Sequence, residues 1–213
     1  MTEFDEAARE ACLEALSLLR QDKPVTLDEL NDAETDNLIA RKLRHAYDGA
    51  RHEVLTAHDW NFARQISHVA AVETGGAWHA FRFTKPAEAL KVVRVEGAVP
   101  DREIHYTLIG DGVLVDEPPR VCEWTQDVED LTLWPAMVRR AFVYGLARDL
   151  AIPITGRTAD LKVMSELYAQ KLKDAAKADA RETHPDPWEE PYYARAIKGA
   201  WNVRRRGHWQ GNG

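Results

Sequence analysis

Ile39-Ala40-Arg41-Lys42-Leu43-Arg44-His45-Ala46-Tyr47-Asp48-Gly49-Ala50-Arg51-His52-Glu53-Val54-Leu55-Thr56-Ala57-His58-Asp59-Trp60-Asn61-Phe62-Ala63 is the most informative run of the chain. Its apolar residues Ile39, Leu43, Ala46, Tyr47, Ala50, Val54 and Ala57 recur at spacings of three and four. That period predicts one long amphipathic helix. The helix runs into Trp60-Asn61-Phe62-Ala63, where the chain must turn. Trp60 and Phe62 read as structural anchors, buried where this helix meets a β insert.

On the N-terminal side, residues 3–20 predict a first helix with Phe4, Ala8, Ala11, Ala15 and Leu19 as its apolar stripe. Pro24 prevents its continuation. Thr26 and Glu29 have capping-box spacing, which predicts a short helical turn over 27–30. The long helix is expected to start near Asp32 as N-cap.

On the C-terminal side the period changes to two. Residues 65–73 and 78–83 read as strands joined at Gly75-Gly76, a hairpin signal. Residues 90–95 form a further strand. Residues 103–109 and 113–116 form a second hairpin around Gly110-Asp111-Gly112, and 120–125 a last strand. Five or six strands are expected. Helical periodicity returns at Pro135, suited to a first helical position, with Val138, Ala141, Phe142, Gly145, Leu146 and Leu150 on one face. Pro153 and Gly156 close that helix. Thr158 reads as the N-cap of another, carrying Leu161, Met164, Tyr168, Leu172, Ala175 and Ala176.

The expected fold class is α+β, mainly α: a four-helix bundle with a β insert between its second and third principal helices, and an extended C-terminal arm. The bundle takes residues 1–64 and 131–183, the insert 65–130, and the arm 184–213. His184-Pro185-Asp186-Pro187 breaks the last helix. The arm then carries Trp188, Tyr192, Tyr193, Trp201, Arg204, Arg205, Arg206 and Trp209. Such an aromatic tail is unlike a disordered linker, which is poor in large apolar groups. Trp and Arg are the side chains that most often anchor interfaces, so these eight residues are read as a docking element.

The 213 residues are 45% hydrophobic and 30% charged, a globular composition. No window approaches the roughly 20 apolar residues of a membrane span. Residues 1–6 are acidic and lack a signal-peptide core, so a cytoplasmic site of synthesis is expected. Cys12 and Cys122 read as buried thiols, because a reducing compartment disfavours a disulfide. The net charge of −7 disfavours general electrostatic binding to nucleic acid. It is compatible with a conduit through which a polyanion slides.

Catalytic patterns fail on spacing. His52-Glu53 begins like a zinc-protease helix, but Thr56 stands where the second ligand must be. Ser17, Ser67 and Ser165 lie in no nucleophile elbow. Glu189-Glu190 matches a carboxylate pair only by abundance, since the chain has 35 acidic residues. No cofactor or metal is expected.

Taken in chain order, several segments resemble the head-to-tail adaptors of tailed bacteriophages, above all the tail tubular protein A family of short-tailed phages. The helix closing on Trp60-Asn61-Phe62-Ala63 resembles the family's second helix. Pro24-Val25-Thr26-Leu27 resembles the loop after its first. The segment 81–92 resembles its aromatic strand and the adjoining "Pro-Ala-Asp-x-Leu-Arg-Val", with Glu88 and Lys91 in place of Asp and Arg. Trp134-Pro135 and Ile154-Thr155-Gly156 also fit, so the resemblance covers roughly residues 5–183.

The resemblance implies a structural, non-enzymatic virion protein at the head–tail junction, made in the bacterial host. It implies a ring of about twelve copies, closed by cyclic symmetry. The implied partners are the portal protein, the tail tube or nozzle, and further copies of this chain. Packaged DNA passes through without specific binding. On this reading Arg41, Lys42, Arg44 and Arg51 are a solvated helix face or pair with acidic groups of a neighbouring subunit. A tail-associated cell-wall hydrolase and a DNA-binding regulator are the alternatives.

Overall fold

The computed structural model describes residues 3–182, apart from 22, 70–71, 75–79, 98 and 100–102. Over these residues the chain mixes helix and strand: five α-helices and two small sheets. It divides after Asp179 into two units, the first holding both hydrophobic cores.

The first three helices start where a side chain satisfies orphan amides. Asp5 accepts the Ala8 amide at 2.7 Å and opens α1 (Glu6–Leu18). Thr26 and Glu29 form a reciprocal capping box on α2 (Leu27–Asn31). The long helix α3 (Leu38–Ala57) begins later than the sequence suggests. Asp32 is the C-cap of α2, and Asn37 caps α3 by accepting from the Ile39 and Ala40 amides. Asn37 also donates to Glu29 Oε1 at 3.1 Å, so one side chain fixes both the start of α3 and its angle to α2.

Two further boundaries move by one residue. Pro135 takes the N-cap position of α4 (Ala136–Leu150). Thr158 is the first residue of α5 (Thr158–Glu182) rather than the residue before it. A π-helical turn, Ala151–Thr155, leaves α4 and ends at Gly156, whose φ of +67° suits glycine.

The sequence stripes of α1, α3 and α4 are largely the buried ones. Among the exceptions are Ala57, which is exposed, and Cys12, Leu16, Ala40, Arg51, Leu55, Val143 and Ala147, which are buried. Helix α4 packs on both α1 and α3. A continuous aromatic chain links them: Phe4 to Tyr47 (4.7 Å between centroids), Tyr47 to Phe142 (5.2 Å), Phe142 to Trp134 (5.7 Å) and Trp134 to Phe62 (5.5 Å). Met164, Tyr168 and Ala175 bring α5 into the same core.

Between α3 and α4 run seven strands among the described residues, one or two more than expected. β1 (Arg64–His68), β7 (Val121–Gln126) and β4 (Ala89–Glu96) form an antiparallel sheet in the order β1-β7-β4. β2 (Glu73–Thr74), β3 (Phe81–Thr84), β6 (Gly112–Val115) and β5 (Tyr106–Ile109) form the second, in the order β2-β3-β6-β5. The predicted strand 65–73 divides between the two sheets: its first part is β1, paired with β7, and only its end, in β2, pairs with β3; Gly75-Gly76 and Trp78 lie outside the described residues. The β5–β6 turn holds Gly110 at φ +61°. Phe83, Val92, Val95, Val113, Val115, Cys122 and Trp124 from both sheets form a second core.

Candidate functional site

Trp60 lies at the end of α3, fully buried, and its indole N–H donates to the Val54 carbonyl at 2.7 Å. It belongs to the helical core and stacks edge-on against His58. Phe62 is half-buried and leans on Trp134. The turn is clamped from α5: Asp179 accepts the Asn61 amide at 3.1 Å, and the Asn61 side chain donates to the Asp179 carbonyl at 3.0 Å. Trp188, Tyr192, Tyr193, Trp201, Arg204, Arg205, Arg206 and Trp209 lie outside the described residues.

The basic residues of α3 separate into two environments. Arg51, expected on the solvated face, is buried. It stands four residues after Tyr47 and three before Val54, so the helical period itself places it inward. Its guanidinium pairs with Asp127, just after β7, and lies 3.4 Å from Asp48. His52 reaches the same Asp127 carboxylate at 3.0 Å. This cluster ties α3 to the end of β7, and no local pattern announces a pair 76 residues apart.

Immediately after His52, Glu53 accepts a two-pronged bond from Arg148 of α4, at 2.7 and 2.6 Å. Those bonds hold the Glu53 carboxyl below its ordinary range. Burial pushes the neighbouring Asp149 up, against the pull of Arg148. The Arg148 guanidinium also lies over the Tyr168 ring, 4.6 Å from its centroid. On the sheet, Glu123 is buried between Arg64 and Arg94 of the flanking strands.

His52 and His58 pair with different carboxylates, Asp127 and Asp179. Among the described residues no group of three His, Cys, Asp or Glu side chains is placed to hold a metal ion. Cys12 and Cys122 are free and buried. No helix among those residues is long and apolar enough to cross a membrane.

A groove of about 920 Å³ lies between the first half of α3 and the end of α4. Arg41, Lys42, Arg44 and His45 line one side; Ala46, Leu150 and Pro153 contribute apolar surface. Lys42 donates to the Pro153 carbonyl, and Arg44 to the carbonyls of Asp32 and Ala33. Asp48 and Asp149 also reach the groove, so cations and carboxylates together surround its apolar floor.

Compared with models of known protein families and with curated protein sequences, the chain matches none.

Proposed function

We propose that this chain is a head-to-tail adaptor of a tailed bacteriophage: a structural virion protein that joins the capsid portal to the tail. About twelve copies form a closed ring under the portal, and packaged DNA crosses it. Helices α1, α3, α4 and α5 serve as the four principal helices of the adaptor bundle, with the strands between α3 and α4 as its β insert. The protein's role is mechanical, not enzymatic. Its partners are the portal, the tail tube or nozzle, and further copies of itself.

The observation that carries this reading is the order of the family-like segments along the fold. The long helix ends in the Trp60-Asn61-Phe62-Ala63 turn, whose indole is fully buried. The strands come next, and the chain returns to helix at Trp134-Pro135. His52, which opens the protease-like pattern, is paired with Asp127.

The C-terminal residues 184–213 are the proposed docking element for the portal, through Trp188, Tyr192, Tyr193, Trp201, Trp209 and Arg204–Arg206. A chain ending at Thr183 keeps both cores. It should therefore fold, yet fail to join portal-bearing capsids in a pull-down that recovers the full chain. Equal recovery of the two chains would remove the arm from the account.

A further inference from the structure

The groove on α3 carries positive charge that its own surroundings cancel only in part. Lys42 and Arg44 are held by backbone carbonyls, which are neutral. The Arg41 and His45 side chains are exposed and make no hydrogen bond or ion pair among the described residues. Two carboxylates reach the groove, Asp48 and Asp149. Each lies beside an arginine that does not line it and that holds a second carboxylate: Asp149 accepts from Arg148 Nε at 2.9 Å while Arg148 also holds Glu53, and Asp48 lies 3.4 Å from Arg51, which pairs with Asp127. Arg41, Lys42 and Arg44 therefore exceed the groove's two carboxylates by one charge. In a chain of net charge −7 this is a local reversal of sign.

The opposite sign is displayed on α1. Glu6, Glu10 and Glu14 recur every four residues, all exposed, and so share one helical face. Glu6 is held by Arg9 of the same helix, Glu10 has Arg139 at 3.8 Å, and the Glu14 side chain makes no hydrogen bond or ion pair among the described residues. The two patches share no residue. Complementary patches at different places on one chain produce a head-to-tail contact, which repeats into rings or filaments.

We propose that the Arg41–His45 groove of one copy receives the Glu6, Glu10, Glu14 face of α1 from the next copy. This contact rests on the ring proposed for the adaptor and assigns the surfaces that close it. A helix with carboxylates on its outer face suits cations above an apolar floor. A nucleic acid suits the groove less well, because a long polyanion would meet the net negative charge of the rest of the chain.

The test is sedimentation of the full chain, alone and with portal, at low and high salt. Assemblies of the unaltered chain should weaken as salt rises. The groove variant Arg41→Glu with His45→Glu, and the stripe variant Glu10→Lys with Glu14→Lys, should each associate at least about tenfold more weakly. An equimolar mixture of the two should recover association, since each supplies the patch the other lacks. Far-UV circular dichroism checks folding, and Arg41→Gln with His45→Gln replaces the groove variant if that one misfolds. If either variant assembles like the unaltered chain, or the mixture fails to recover, this contact is wrong while the ring stands. If the unaltered chain never assembles, even on portal, the ring reading falls and takes the contact with it. Binding of a labelled duplex DNA that the groove variant loses would reassign the groove to nucleic acid and overturn the proposal.

Discussion

Trp60 shows how one residue holds several elements in place. Its ring is buried between α3 and the turn, and its indole N–H is satisfied by the Val54 carbonyl. Trp60→Ala would leave both a cavity and an unpaired carbonyl, at a cost of about 3–5 kcal/mol. Denaturant unfolding measures it; an unchanged midpoint contradicts the assignment. The two cysteines make a second test. Burial pushes the Cys12 thiol up to about 12, and burial with the neighbouring Glu123 carboxylate pushes Cys122 up to about 11. The thiolate is the reactive form, so neither should react with a disulfide reagent at mildly alkaline pH while the chain is folded. Both should react once it is denatured. Rapid labelling of the native chain would show that one of these sites opens.

At the scale of elements, helix starts and helix contacts depend on different kinds of information. Asn37 caps α3 and also holds Glu29 of α2. Asn37→Ala should cost about 0.5–2 kcal/mol, with helix lost from the α2–α3 junction first, as read by amide hydrogen exchange. The capping box at Thr26 is legible in the sequence because its partners are three residues apart. The start of α3 is not, because Asp32 and Asn37 are both good caps, and only the close of α2 after Asn31 assigns Asp32 to that helix. The apolar stripes are legible through their period. Arg51 is not, because its charge argues for solvent while its partner Asp127 comes from beyond the β strands.

The α3–α4 link gives a pH test with a defined sign. Arg148 lowers the folded pKa of Glu53 below its ordinary 4.5, so the unfolded chain binds the proton more readily. The link is therefore fully present above that value and is lost as pH falls through the folded pKa. Glu53→Gln should flatten the acid limb of a plot of melting temperature against pH. Asp149 has the opposite sign: its raised pKa favours the protonated form in the folded state, so its contribution is lost as pH rises through that value. Asp149→Asn should raise stability near neutral pH relative to acid. An unaltered profile for both variants would contradict this electrostatic account.

At the scale of the whole molecule, the alternation of helix, strands and helix is legible, since the change of period from 3.6 to two and back needs no tertiary information. The division of the strands between two sheets is not, because pairings such as β1 with β7 join segments more than fifty residues apart. The basic groove is visible in the sequence only as the cluster Arg41, Lys42 and Arg44. Its concave shape needs the end of α4, and its uncancelled charge depends on which carbonyls and arginines the fold places nearby. Assembly on a portal is what the proposed adaptor role requires, and particle mass measures it directly. Portal particles incubated with the full chain and measured by mass photometry should gain about twelve copies per portal, in one step without stable partial occupancies. A chain that stays monomeric in the presence of portal, or adds a single copy, would contradict the adaptor account.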